Sequence, residues 1–293
     1  MNYLNNLFAN IYYNTIKDLH SNITTINCRN QQISYEIINY HCSINMKYGI
    51  SIYSHINSRA IPITFVLGEF LWIIGGHNEI KLLEKFNKSM LQYSDDGEIL
   101  NGAYGPRIMP MLQKCIQKLI NDKYTRQAFI PIFYTNDLCI NTLDVPCNTS
   151  LQFLIRKDYL NLIITSRSSD FITGFSIDSL HWQMLFFLIL DILKNYYSTL
   201  KPGFIHYNIA SLHVYKRDKL IFNEWNASNN FSWVLPFENI KLNKIQEFIS
   251  HYFNHATTLE DLIKIFQFNM KQQLIIKNLQ NVFINRIYKI NRN

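Results

Sequence analysis

Residues 62–74, PITFVLGEFLWII, form a nearly unbroken apolar run that opens on proline, a residue well tolerated at a first helical position. The run predicts a mostly buried helix carrying a single carboxylate, Glu69. Ile80, Leu83, Phe86 and Met90 then recur at helical spacing and predict a second, amphipathic helix, and Ile108, Leu112, Cys115 and Leu119 predict a third. Leu151, Phe153 and Ile155, followed by Leu160, Leu162 and Ile164, alternate with other residues on either side of Lys157-Asp158, the pattern of a hairpin. Residues 179–195 read as a buried helix and Ile205 to Tyr215 as a further strand. The chain is therefore mixed α and β, without internal repeats.

Composition narrows this modestly. A chain of 293 residues with 48% hydrophobic residues can bury one sizeable core, and no Pro/Gly/Ser-rich linker interrupts its middle, so residues 1–293 are expected to form a single domain. The 28 Lys+Arg against 21 Asp+Glu give a formal charge of +7, but the charges are scattered, which suits anionic small substrates better than a nucleic-acid or membrane surface. Five cysteines with no CxxC argue against a disulfide framework or a zinc ribbon and point to a reducing, cytoplasmic setting. No signal peptide is evident, and the most apolar run, Met184 to Leu190, is too short to cross a bilayer.

The chemistry concentrates in three places: Pro146-Cys147, Arg167-Ser168-Ser169-Asp170, and Asp178. They supply a nucleophile, an anion anchor and a base reader, which fits work on a pyrimidine nucleotide. Carbon 5 of a pyrimidine is a poor nucleophile until a thiolate adds to carbon 6, and a thiolate wants a cation close by. An arginine beside a serine gives charge-assisted and hydroxyl donors for a phosphate. A carboxylate flanked by apolar residues, as Glu69 is, is costly unless used, for example to move protons. His213 and Tyr215 lie two apart on a predicted strand, so both face one way.

The stretch DVPCNTSLQFLIRKDYLNLIITSRSSDFITG resembles the signature of the thymidylate synthase family: Pro-Cys, then Gln-Phe on a strand, then Arg-Ser-x-Asp-(x)3-Gly ending at Gly174. Glu69-Phe70-Leu71-Trp72 is similar to the family's glutamate segment, Tyr104-Gly105 to its Tyr-Gly and His213-Val214-Tyr215 to its His-x-Tyr. The resemblance implies an α+β fold, a large mixed β-sheet covered by helices with a sheet face used for dimerisation. It implies Cys147 as nucleophile, Glu69 and Tyr104 in proton handling, and Arg167, Ser168, His213 and Tyr215 as substrate contacts. Arg126 would reach the phosphate of the partner subunit in a homodimer, and Arg29 corresponds to an N-terminal phosphate arginine. Asp170, Gly174 and Trp72 would meet the cofactor, 5,10-methylenetetrahydrofolate, and no metal, membrane or nucleic acid is expected.

Asp178 departs from the synthase pattern, where the matching residue is an asparagine that reads uracil. A carboxylate instead accepts from the cytosine amino group and from N3 once that atom is protonated, whereas uracil would set its oxygen against it. The same replacement is typical of the deoxycytidylate hydroxymethylases. Asn148 in place of the usual histidine, Met90 and Tyr93 in place of a tryptophan pair, and the tail NRIYKINRN all favour hydration of the one-carbon unit over hydride transfer. The expected activity is folate-dependent hydroxymethylation of dCMP or CMP at carbon 5.

Three other readings stand beside it. Thymidylate synthesis or methylation of dCMP uses the same parts, and the scaffold could serve only to bind nucleotide or RNA. His77-Asn78-Glu79 with Pro146-Cys147 is similar to a zinc deaminase pattern, but Ser150 stands where a second cysteine ligand is required. The other cysteines, Cys28, Cys42, Cys115 and Cys139, read as small buried hydrophobes, and His251 and His255 as a satisfied pair rather than metal ligands.

Overall fold

The structure is a computed structural model that describes residue 15 and residues 24–27, 33–55, 62–218 and 230–235. Arg29, Cys28, His251, His255 and the C-terminal tail lie outside the described residues. The framework is a mixed sheet of strands β1 (Thr24–Asn27), β2 (Ile33–Asn45), β4 (Phe129–Pro131), β5 (Asn148–Arg156), β6 (Tyr159–Ser166), β7 (Ser169–Asp170) and β8 (Lys201–Tyr215). Its order is β1-β2-β8-β6-β5-β4, with β7 also paired to β8; β6 and β7 run parallel to β8 and the other pairs are antiparallel. Strands β3 (Ile50–His55) and β9 (Asn230–Leu235) form a separate antiparallel pair.

The predicted hairpin joins β5 to β6, with Lys157 and Asp158 at φ 49° and 61°. Two successive left-handed residues make the tight turn whose twist suits antiparallel strands. The long β2 was not anticipated, because its polar and apolar residues do not alternate cleanly. Its inward face changes phase near Asn39, a residue at φ 58°.

Helices α1 (Ile63–Ile74), α2 (Ile80–Glu84), α3 (Tyr104–Asn121) and α4 (Gly174–Lys194) complete the described core. The predicted amphipathic helix from Ile80 to Met90 is broken. Asn87 is extended and its side chain accepts from Ser89 N–H, which starts a short 3-10 turn over Lys88–Tyr93 in place of a continued α-helix. Such local side-chain bonding competes with helical hydrogen bonding.

Helix α4 begins five residues before the predicted start, so Asp178 lies inside it. The helix is apolar nearly all round because it packs against α1, α3, β3, β7 and β8. Its apolar character extends well beyond Met184–Leu190, to a length and hydropathy sufficient to cross a membrane, but most of that stretch is buried inside the fold. Alternation along the strands sends Leu151, Phe153, Leu160, Leu162, Ile205 and Tyr207 into this core. The opposite face carries Gln152, Ile163, Phe204 and His206, which are only partly buried or exposed.

Candidate active site

Cys147 sits where the loop after β4 enters β5. Arg167, just beyond the end of β6, is drawn to it by backbone pairing, its N–H donating to Cys147 O at 2.9 Å. The guanidinium then folds over the loop: Nε donates to Pro146 O at 3.0 Å, and Nη2 donates to Val145 O at 2.8 Å and to Cys147 Sγ at 3.7 Å. A cation against the sulfur favours the thiolate, the form that attacks carbon. Arg167 is exposed, and no described residue bonds its Nη1, so two of its five donors remain for an anion.

The loop is held by close backbone approach. A side chain at Gly102 would lie 2.9 Å from both Asp144 O and Pro146 N, and Gly102 N–H donates to Asp144 Oδ2 at 2.7 Å. The adjacent Tyr104-Gly105 pair has a similar basis: a Cβ at Gly105 would meet Ile73 O and His77 O at 2.9 Å. Glycine lets the start of α3 press on the end of α1, which turns Tyr104 toward Cys147.

Asn148 connects the site. Its buried amide donates to Tyr104 Oη at 2.7 Å and to Asp178 Oδ2 at 2.8 Å, and its Oδ1 accepts from Ser166 Oγ at 2.7 Å. Burial pushes the Asp178 carboxyl up to about 6, partly offset by the Asn148 hydrogen bond. Tyr104 is raised well above its ordinary value by burial and by the charges of Asp178 and Cys147, and its ring lies 5.4 Å from that of Trp182.

Glu69 projects from α1 into the same region, its side chain 17% exposed. Its carboxyl is raised well above the ordinary range, first by burial and then by the neighbouring Asp178 and Asp144. Asp178, His181 and Trp182 fall at i, i+3 and i+4 of α4 and so share one face. His181 Nε2 lies 3.0 Å from Val66 O and 3.6 Å from Glu69 Oε2. Since a carbonyl only accepts, Nε2 carries the hydrogen and Nδ1 is the acceptor. Burial lowers the His181 pKa to about 4, which keeps the ring neutral beside Glu69.

The remaining predicted residues divide. Asp170 Oδ1 accepts from Ile172 N–H at 2.9 Å and Thr173 N–H at 3.3 Å, while Oδ2 pairs with the Thr173 hydroxyl, so the carboxylate shapes the turn into α4. That leaves about one of a carboxylate's roughly four lone-pair sites for a ligand. Gly174 opens α4, and a Cβ there would meet nothing closer than 3.7 Å. His213 and Tyr215 stack edge to face at 5.1 Å on β8, and His213 O accepts from Phe171 N–H at 2.8 Å. Ser168 is half-buried beside Arg167, and Arg126 is exposed just before β4, its carbonyl accepting from Gln152.

Trp72 packs inward: it is 2% exposed and its indole N–H donates to Glu79 O at 3.1 Å. Cys42 and Cys115 keep their structural reading, both pushed up to about 12 by burial. Cys139 does not, because it is exposed. Asn148, Ser166, Asp144 and His181 are site neighbours that the motifs did not assign a role. Only Asn148 left a trace in the sequence, as a departure beside Cys147.

A family model described as "Thymidylate synthase" matches residues 10–281. The chain is similar to the protein named "Deoxyuridylate hydroxymethyltransferase" of Bacillus phage SP01, 27% identical over 259 residues, with 74% of this chain and 64% of that protein covered. It is similar to a protein of the same name from Delftia phage PhiW-14, 35% identical over 136 residues, covering 41% of this chain and 37% of the relative. It is also similar to the "Deoxycytidylate 5-hydroxymethyltransferase" of Enterobacteria phage T4, 32% identical over 84 residues, covering 28% and 34% respectively. In each case the chain spans less than two thirds of the relative's length.

Proposed function

The chain belongs to the thymidylate synthase family, and from that premise we propose that it hydroxymethylates carbon 5 of a cytidine monophosphate, dCMP or CMP, as a single catalytic domain. The observation that carries this reading is the convergence of Cys147, Arg167, Glu69, Tyr104 and Asp178, with a carboxyl rather than an amide in the base-reading position.

In this reading the nucleotide phosphate engages the uncommitted Nη1 of Arg167 together with Ser168, with Arg126 supplied by the partner subunit and Arg29 from outside the described residues. His213 and Tyr215 hold the sugar hydroxyl. Cys147 Sγ bonds to carbon 6, and the electron pair released makes carbon 5 nucleophilic. Asp178 accepts from the exocyclic amino group and from N3 as that atom gains a proton. Glu69, with Tyr104, takes part in removing the proton that carbon 5 must lose and in holding the water whose oxygen becomes the new hydroxyl. Sulfur then leaves carbon 6 and restores the ring.

When bound, 5,10-methylenetetrahydrofolate would supply the one-carbon unit at the oxidation level of formaldehyde. Asp170, which retains an acceptor site, and Gly174, at the start of α4 beside it, would hold it. A homodimer agrees with a sheet face that, among the described residues, leaves Phe129 and Phe204 49% and 40% exposed, with Arg126 one short step from β4.

Uracil is the second base to test, favoured by the names of the Bacillus phage SP01 and Delftia phage PhiW-14 relatives. Release of tritium from carbon 5 reports addition of Cys147 to carbon 6. Release from labelled dCMP, abolished by Cys147→Ser, is expected; release from labelled dUMP alone would contradict the cytosine reading.

A further inference from the structure

Base preference in this site depends on which hydrogen bonds the carboxyl of Asp178 offers, and that depends on what holds it. Among the described residues, Asp178 Oδ2 is engaged by Asn148 Nδ2 at 2.8 Å, and no described residue bonds Oδ1. The orientation of the Asn148 amide is fixed on both sides. Ser166 Oγ donates to its oxygen at 2.7 Å, and its nitrogen also donates to Tyr104 Oη at 2.7 Å. The reversed amide would set its oxygen against a carboxylate and would force both hydroxyls to exchange donor and acceptor roles.

We propose that Asn148, oriented by Ser166, is the positioning residue that makes the site discriminate between cytosine and uracil, by holding Asp178 as an acceptor-only carboxylate with Oδ1 left for the base. The inference rests on the proposed reaction and deepens it.

The chemistry follows from the edges of the two bases. An ionised Asp178 offers only acceptors, which match the amino group of cytosine and, once that atom takes up a proton, its N3; uracil is matched at N3–H but opposed at O4, an oxygen too weakly basic to take a proton. A protonated Asp178 offers one donor and one acceptor. That pair matches neutral cytosine, with O–H to N3 and the carbonyl facing the amino group. It matches uracil equally well, with O–H to O4 and the carbonyl facing N3–H. Selectivity therefore belongs to the ionised state, in which cytosine N3 can take up a proton to complete the pair and uracil O4 cannot.

Burial opposes ionisation of Asp178, and the Asn148 amide is the hydrogen bond that favours the anion. The surrounding Glu69 from α1, Tyr104 from α3 and Cys147 at the entry to β5 bring no positive charge, and the charge of Asp178 in turn raises Glu69 and Tyr104. Neutral His181, one turn along α4, supplies no compensating charge.

The test is direct binding of dCMP and of dUMP, without folate, to the full-length wild type, Asn148→Asp and Ser166→Ala, at pH values on either side of the Asp178 value of about 6. The wild type should prefer dCMP well above that pH and approach parity below it. Asn148→Asp sets a second carboxyl beside the first, so a proton is shared, and the preference above that pH should fall roughly tenfold or more. Ser166→Ala frees the amide to turn and should move the preference the same way by a smaller factor. A purely structural role would weaken both nucleotides alike and leave their ratio and its pH dependence unchanged. That result in Ser166→Ala, or in a folded Asn148→Asp, overturns the inference. Wild type that binds only dUMP at every pH would instead overturn the cytosine reading beneath it, a failure visible without any variant.

Discussion

At the base end of the cleft, Asn148, Asp178, Tyr104 and Ser166 are joined by hydrogen bonds of 2.7 to 2.8 Å around a buried amide, with Glu69 and neutral His181 packed behind them. At the anion end, Arg167 is exposed and spends part of its guanidinium on backbone carbonyls and sulfur, with Nη1 uncommitted among the described residues. The first region is finished before a ligand arrives; the second is left open for one. Differences between bases are small and must be read by groups that cannot reorient, whereas a phosphate is recognised by charge and tolerates solvent. Cys147 stands between the two and belongs to both, through the Arg167 contact on one side and its neighbour Asn148 on the other.

Four substitutions break this contrast in different ways, beginning with the largest effect. Cys147→Ser removes the group common to both ends, and turnover should fall by at least about 10^4-fold while nucleotide binding persists. Unchanged turnover would rule out the adduct. Glu69→Gln acts on the base end after binding, so kcat should fall about 10^2-fold or more with little change in KM for nucleotide. A change confined to KM would move Glu69 from proton handling to binding.

Arg167→Lys acts on the anion end: a point charge cannot reproduce the fork over Val145, Pro146 and Cys147. Nucleotide KM should rise roughly 10-fold to 100-fold, and the loss should be greater for nucleotide than for the corresponding nucleoside. Equal losses for both would remove Arg167 from phosphate binding.

Asp178→Asn is smallest in its effect on stability and most specific in sign. Burial raises the Asp178 carboxyl from 3.8 to about 6, so the folded state favours the proton. Its stabilising contribution is complete below 3.8 and is lost as pH rises through about 6. The asparagine variant should therefore gain melting temperature relative to wild type above that window and show little gain below it, while its base preference moves toward uracil. A gain that is the same at all pH values would point to packing rather than charge.

How much of this was legible in the sequence follows the same division. Helix α1 and the buried α4 are apolar runs of helical length and the hairpin around Lys157-Asp158 alternates, so pattern sufficed for their type, though not for the first turn of α4. The break after Glu84 was missed because a local Asn87 side-chain bond outweighs helical spacing, and β2 because it changes its inward face midway. Cys147, Arg167 and Asp178 were readable as motif residues. Their connection through Asn148 and Ser166 was not, because it joins β5, β6, α3 and α4, and such tertiary proximity has no signature in local spacing. Trp72, a cofactor contact by resemblance, lies at i+3 from Glu69 on α1 and packs into the core, a burial that the apolar run around it already implied.

The central claim is that this site places a hydroxymethyl group on a cytosine. It is tested most directly by incubating the protein and 5,10-methylenetetrahydrofolate with dCMP, CMP and dUMP in turn and identifying each product by mass. The account predicts a hydroxymethylated cytidine nucleotide that is absent with Cys147→Ser; methylated dUMP with no cytidine product would contradict it.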